Sequence, residues 1–543
     1  MDGAAKSTVF GDRDGPLSAA ERRDIGSRFH EYQRQLAPPG SIAAVSVLDL
    51  ALAVRTTVPD PDSRVFWDSA VHRDAYTWLM GREPKDYRSM GPGRAVSESV
   101  GCAIARTLRR DPGSVVAVVD ANVLSSGLAF EAVTHSGHLR LPLVLVLVEP
   151  PATRTRSVGA VSRYLTRLRG HPRYSDAKVV IEHALSRMPA GDQAVEVARR
   201  LKNSMRELLV PTEIWEELLG FTYLGPVDGD EPKALHEALA LALEVGGPVV
   251  LHVATPSGQS CASHIAGAMK HDPGAHLDLW LNAVAVATSE CAVRDESCVI
   301  ISSGDAVRTA LQSVAECVPE RFLDVGLASS HGISLAISLA RQGLRPILAI
   351  RATRMVATLA PFLEDHDVPD GSVTVLALPD GTAEDTSNQT SVQKFGQVDV
   401  VIPQRPRDVS TCLLKAIHGC GWTVVRVPSI VIDSDQHVPA ACVSGAGEGV
   451  GIVAFGPASL IAECAAAALG ARAVTLQRVP PTSDGVIDVD CARWLLVNDQ
   501  EFGSSMRRWW PRELDAITEV VDVDAMASFD EQVSGIIARV TNV

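Results

Sequence analysis

Ten short runs of β-branched and aliphatic residues recur along the 543-residue chain, at 115–119, 143–148, 249–253, 299–302, 347–350, 373–377, 398–402, 423–425, 452–455 and 494–497. They do not alternate apolar with polar positions, so both faces of each must be covered. A parallel sheet flanked by helices meets that demand. Helical periodicity fills several of the gaps, at 95–108, 127–135, 232–244 and 307–318. The alternation predicts an α/β chain of several doubly wound parallel sheets. At about 150 residues per domain, the length accommodates about three or four of them. Two stretches suggest boundaries. Residues 256–273 are rich in Ser, Gly, Ala and His without periodicity, and 438–451 carry SGAGEGVG just before a strand. A glycine fingerprint for dinucleotides follows a strand and opens a helix, so the reversed order here reads as an interdomain loop. The predicted layout is a first domain at 1–260, a linker at 261–297, a second domain at 298–436 and a third at 437–543.

Charge narrows the function classes. Fifty Lys and Arg against 65 Asp and Glu leave a net charge of −15, a field that repels phosphate backbones and speaks against a nucleic-acid partner. The basic, aromatic run from Arg507 to Arg512 is accordingly read as a helix end or subunit contact. The longest apolar run, 141–148, falls far short of the ~18 residues of a membrane helix. The polar N-terminus lacks the apolar segment of a secretion signal, so a cytoplasmic location is expected. The ten cysteines form no close CxxC pair and are read as buried reduced thiols. Asp365, His366 and Asp367 are metal-capable types, but adjacent positions point in different directions, and a solvated loop is expected there.

The motif FTYLGPVDG at 221–229, preceded by VPTEIWEELLG at 210–220, resembles 1-deoxy-D-xylulose-5-phosphate synthase, of the transketolase superfamily. Further segments follow in the family's order. SSGLAFEAVTHSG at 125–137 is similar to its TAGMAFEAMNHAG, and RFLDVGLASSHG at 321–332 to its RYFDVAIAEQHA. TVVRVP at 423–428 is similar to its SAVRYP, and WD at 67–68 with GR at 81–82 to its WDVGHQAYPHKILTGR segment. The likeness runs through nearly the whole chain. It implies a diphosphate-binding-type domain, a pyrimidine-binding-type domain and a transketolase C-terminal-like domain. It also implies a homodimer that uses thiamine diphosphate and Mg²⁺ on a small phosphorylated metabolite.

The chain departs from the family where that cofactor chemistry resides. The family holds the diphosphate through Mg²⁺ with a GDG motif and, about thirty residues later, NDN. Mg²⁺ demands oxygen ligands in tight octahedral geometry. Here Asp120 stands at the carboxyl end of a strand, where such sheets bind ligands, but Val119, Ala121 and Asn122 surround it in place of the flanking glycines. Val148, Glu149 and Pro150 replace NDN. Proline supplies neither a side-chain oxygen nor an N–H, and Glu149 would set a negative charge beside a diphosphate. Asp120, Asn122, Glu149 and Arg354 are the cofactor-binding candidates, with Asp120 the metal ligand. The family glutamate that protonates the aminopyrimidine is replaced by Ser329, in Ala328-Ser329-Ser330-His331-Gly332. A hydroxyl can hydrogen-bond the ring nitrogen but cannot shuttle its proton as a carboxylic acid does.

Arg354 stands where an aromatic residue stacks on the pyrimidine, and Asn388 where a catalytic histidine is expected. Two first-domain histidines fall at Val71 and at Pro92 or Gly93, with His72 one register from the first. Ser329, His331 and His72 are therefore the catalytic candidates. Asp120, His331, Arg426 and GPVDG are retained. Arg426 can grip a substrate phosphate bidentately. Each also has a purely structural reading: a helix cap for Asp120, a core histidine for His331, an internal ion pair for Arg426 and a turn for GPVDG.

Altered motifs in both half-sites lead to the expectation of a homologue that has lost thiamine-diphosphate carboligation. It would act as a non-catalytic or regulatory partner, alongside a catalytically active homologue, in isoprenoid-precursor metabolism, with no resident cofactor. Two alternatives stand beside it. One is an active synthase condensing pyruvate with glyceraldehyde 3-phosphate through an atypical site. The other is a cleft enzyme of specialised terpenoid or natural-product metabolism working without thiamine.

Overall fold

A computed structural model of the chain describes residues 45–58, 63–68, 93–149, 214–229, 231–254, 273–364, 371–379, 398–428, 441–444, 450–476, 478–479, 493–498 and 517–522, with a few isolated positions beside them. The chain divides into two compact units, Met1–Ala268 and Met269–Val543.

The first unit is built on a five-stranded sheet of β1 (Arg64–Trp67), β2 (Val115–Asp120), β3 (Leu143–Glu149), β4 (Thr222–Asp228) and β5 (Val249–Ala254). Its order is β1-β2-β3-β5-β4, and every neighbouring pair is parallel. The sequences VVAVVD and LVLVLVE explain the central strands. All of β3 and all but the last residue of β2 are buried, as strands covered on both faces must be. Four helices accompany the sheet: α1 (Val45–Thr57), α2 (Arg94–Arg109), α3 (Gly127–His138) and α4 (Pro232–Glu244). The hydroxyls of Thr56 and Thr57 reach His236 Nδ1 at 3.3 and 2.8 Å, tying α1 to α4.

GPVDG is not a turn. It lies within and at the end of β4, whose register against β5 shifts between Leu224 and Val227, so the Gly-Pro pair is absorbed as a bulge. The capping role for Asp120 is also corrected. It stands at the N-cap of the 3₁₀ turn Ala121–Ser125 but makes no side-chain cap hydrogen bond.

The second unit opens inside the stretch read as a linker. Residues Pro273–Arg294 form a 22-residue helix, α5. Trp280, Val284, Ala287 and Cys291 fall on one face at helical spacing and are buried in the core of the following sheet. That sheet comprises β6 (Cys298–Ser302), β7 (Phe322–Asp324), β8 (Arg345–Arg351), β9 (Ser372–Leu378), β10 (Val398–Val401) and β11 (Gly421–Arg426). The helix expected at 307–318 is two, α6 (Asp305–Ala310) and α7 (Gln312–Cys317), broken at the fully buried Leu311. Further helices are α8 (Ser329–Arg341), α9 (Ala352–Glu364) and α10 (Val409–Ile417).

The last sheet contains β12 (Ala441–Ser444), β13 (Val450–Phe455), β14 (Arg472–Leu476), β16 (Arg493–Asn498) and β17 (Ile517–Asp522), with α11 (Ala458–Leu469) packed on it. It is parallel except for β12, which runs antiparallel to β14. A two-residue strand, β15 (Arg478–Val479), leaves this region and pairs antiparallel with β10. That pairing joins the third predicted domain to the second within one unit, and all three sheets are of the predicted α/β kind.

Among the described residues no helix is long and apolar enough to cross a membrane, and no disulfide joins the described cysteines. Burial pushes the thiols of Cys291, Cys298 and Cys412 up to about 11, 12 and 12, so they behave as core residues. Cys317 and Cys420 are exposed, contrary to the uniform burial expected.

The α5–β6 connection is fastened by Asp295. Its Oδ1 accepts from Ser297 Oγ at 2.5 Å and Ser297 N at 2.9 Å, and its Oδ2 from Arg345. Hydrogen bonding to Ser297 first, with Arg345 assisting against a desolvation that works the other way, holds its carboxyl down at about 2. A depressed folded-state value means stability that is present above the ordinary carboxylate range and is lost as pH falls toward 2. Asp295→Asn should remove that part of the acid sensitivity while leaving the neutral-pH spectrum intact. Denaturation midpoints compared between pH 5 and pH 2.5 would reveal it, and an unchanged pH slope would refute the assignment.

Candidate functional site

The carboxyl edge of the first sheet gathers acids because successive strands end on them. Asp68 follows β1, Asp120 ends β2, Glu149 ends β3 and Asp228 ends β4. Asp120 lies in register with Val148, so its strand end and that of Glu149 are neighbours. Asp68 Oδ1 accepts the Gly93 N–H at 3.0 Å, just before α2.

Glu149 is 5% exposed and is held from behind. His252, fully buried in the otherwise apolar β5, places Nε2 3.0 Å from Glu149 Oε2. Its other nitrogen, Nδ1, lies 2.7 Å from the hydroxyl of Tyr223 on β4. A carboxylate only accepts, so the chain is satisfied with Nε2–H donating to Glu149 and Nδ1 accepting from the Tyr223 O–H. Gly225 makes room for this. It has φ +129, and a Cβ there would stand 2.6 Å from the His252 carbonyl oxygen and 3.1 Å from its Cβ. The bulge in β4 therefore lets its backbone close onto His252. The constellation has the form of an oriented base, with an acid fixing one imidazole nitrogen and a hydroxyl on the other. Burial of all three groups keeps it internal.

The corresponding edge in the second unit carries hydroxyls. Ser329, the first residue of α8, shares a 2.9 Å hydrogen bond with Ser303, which follows β6, and Ser303 Oγ also donates to the Gly326 carbonyl at 3.1 Å. Asp324 at the end of β7 accepts the Gly326 N–H at 3.0 Å and faces Arg308 Nε at 3.2 Å. Burial raises the carboxyl of Asp324 above its ordinary value against the opposing pull of Gly326 and Arg308. His331 is exposed on the first turn of α8, which corrects its reading as a core histidine.

Arg354 is half-buried on α9, and its carbonyl accepts from Thr358 Oγ1 at 2.8 Å. Arg426, 2% exposed, is the last residue of β11. Asn122 lies in the 3₁₀ turn, its carbonyl accepting from Ser125 Oγ at 2.7 Å. His72, Pro150, Asn388, the 365–367 acids and the 507–512 run lie outside the described residues.

Asp120, Asn122 and Glu149 thus belong to the first unit, and Ser329, His331, Arg354 and Arg426 to the second. Sequence reasoning missed His252, Tyr223 and Ser303. The signal for His252 was present in the sequence, as a lone histidine inside the apolar run VVLHVA.

A parallel α/β chain whose sheets end in polar side chains at their carboxyl edges is of the kind that binds small ligands there. Residues 84–255 match the sequence family described as 1-deoxy-D-xylulose-5-phosphate synthase. The synthase of that name from Carboxydothermus hydrogenoformans is 32% identical over 459 residues, covering 76% of this chain and 73% of the relative. That from Thermomicrobium roseum is 33% identical over 345 residues, which cover 57% of this chain and only 54% of the relative's length. Among solved structures, transketolase from Campylobacter jejuni aligns over 96% of this chain and 99% of its own at 11% identity and a TM-score of 0.38. The chain belongs to the 1-deoxy-D-xylulose-5-phosphate synthase family.

Proposed function

We propose that this family member does not perform thiamine-diphosphate carboligation and serves, as a cytoplasmic homodimer, as a non-catalytic or regulatory homologue in isoprenoid-precursor metabolism. The observation that carries the reading is the engagement of Glu149. The family's cofactor needs a cation set that draws Mg²⁺ between protein oxygens and a diphosphate. At the matching strand ends this chain offers Asp120 and Glu149, and Glu149 Oε2 is committed to His252. Two carboxylates with one of them turned inward do not fit a metal-bridged diphosphate.

The hydroxyl pair of Ser303 and Ser329 supports the same reading in the second unit. Its two hydrogens are given to the Gly326 carbonyl and across the pair, and neither hydroxyl is an acid strong enough to exchange a proton with a ring nitrogen. Titrating the purified protein with thiamine diphosphate and Mg²⁺ in a calorimeter should give no binding heat at millimolar cofactor. Saturable heat would overturn the proposal. A second reading, an active synthase with an atypical site, draws on His331, which is exposed at the start of α8. Formation of deoxyxylulose phosphate from pyruvate and glyceraldehyde 3-phosphate would decide for it.

A further inference from the structure

We infer that the outer face of α5 is a contact between two copies of this chain, their α5 helices packed antiparallel about a two-fold axis at Val286. The inference deepens the homodimer of the proposed function and rests on that part of it alone. Helix α5 is apolar on both sides. Its inner face, with Trp280, Val284, Ala287 and Cys291, is buried in the sheet core. Its outer face carries Leu279, Val286 and Val293, which are 51, 60 and 63% exposed. Single exposed aliphatic side chains are ordinary. These three recur every seven residues, close to two helical turns, so they form one row with steps of about 10 Å. Between Asp278 and Arg294 the sole charged residue is Glu290, and Ser410 Oγ on α10 holds its carboxylate at 2.5 Å. A surface helix turns charge outward, whereas one that is apolar all round is covered.

The pattern selects what covers it. Leu279 and Val293 stand equally far from Val286 on either side, so the row is its own complement under a two-fold axis. Antiparallel packing sets Leu279 against the partner's Val293 and Val286 against its own copy. The small side chains of Ala283 and Ser289 flank Val286 and allow the helix axes to approach closely. Charge agrees with this direction. Asp278 and Arg294 lie eight residues out from Val286, and among the described residues neither makes a side-chain hydrogen bond or ion pair. In the antiparallel pair each aspartate lies level with the partner's arginine, whereas a parallel pair would set like charges level. One helix pair is a small contact beside the ~1,200 Å² of a stable interface, so the dimer forms in a concentration-dependent way.

Sedimentation equilibrium of the full chain, from low to high micromolar concentration, tests the contact. Val286→Glu sets two carboxylates together at the axis and should raise the dimer dissociation constant by about tenfold or more. Because Val286 is exposed, circular dichroism of that variant should match the unaltered chain. Val286→Cys should give a disulfide-linked dimer when oxidised with diamide. Val293→Cys should not link to itself but should link to Leu279→Cys when the two are mixed. The unaltered chain, with Cys317 and Cys420 exposed, sets the background. A dimer that Val286→Glu leaves intact and Val286→Cys does not cross-link would overturn the inference and leave the homodimer standing. A chain that stays monomeric throughout, as it would if a different protein covered α5, would overturn the homodimer and the inference together. Neither result touches the proposed loss of carboligation, which the thiamine diphosphate titration decides.

Discussion

Gly137→Ala should lower the stability of the first unit by about 3 kcal/mol or more, because the added methyl has nowhere to go. A Cβ at Gly137 would stand 1.7 Å from the Leu219 carbonyl oxygen, 2.9 Å from its carbon and 3.3 Å from the Phe221 ring. The opposing atoms are backbone, so no rotamer change relieves the overlap. Nor can the segment retreat. Trp215 and Phe221 are buried on either side of it, and Phe221 N–H donates to the Trp215 carbonyl at 2.8 Å. Gly220, at φ +74, closes the contact from the other side, its own Cβ position 3.1 Å from the Gly137 oxygen.

The identical substitution at Gly101 is the control. It lies exposed within α2 with nothing within 4 Å of the added atom. There alanine should stabilise by about 0.5–1 kcal/mol through helix propensity alone. Thermal or urea denaturation of the two variants should therefore shift in opposite directions. A Gly137→Ala loss below about 0.5 kcal/mol would show that α3 does not press on Leu219.

The legibility of the chain differs between its levels for identifiable reasons. All ten apolar runs became strands, because burial on both faces writes itself as an uninterrupted run. The strands that escaped were short or mixed. Phe322–Asp324 has only three residues, and Arg64–Trp67 begins on an exposed arginine. Thr222–Asp228 was hidden because Gly and Pro signal a turn locally, whereas pairing with β5 overrides that preference. Helix α5 was hidden by its mild, Ala-rich sequence, and its buried face is evident only once the sheet it covers is known.

The site shows the same division. Asp120, Glu149 and Ser329 could be placed from the resemblance, since each sits in a short motif. The partner of Glu149 lies 103 residues on, and the partner of that histidine 29 residues back. Only the strand order β3-β5-β4 brings the three together. Ser303 and Ser329 likewise meet across 26 residues, through two parallel strands.

The second large effect is expected at His252. His252→Leu should cost about 3 kcal/mol, because it strips the hydrogen-bond donor from a buried carboxylate and the acceptor from a buried hydroxyl. Two groups lose by it. Glu149 keeps a buried carboxylate without its Nε2 donor, and the Tyr223 hydroxyl loses its acceptor within a core that offers water little access. Bulk is not the cause, since leucine occupies similar space in the same apolar strand. Adding Glu149→Leu to His252→Leu should therefore recover much of the loss, as apolar replacement of a whole buried pair often does. The double-mutant cycle should give a coupling of about 1.5 kcal/mol or more. Simple additivity of the two losses would mean that the 3.0 Å contact is incidental. Turning Glu149 toward a metal would break that contact and forfeit the coupling. On the function proposed above, that coupling is what sets the carboxyl edge of this chain against a metal-bridged diphosphate.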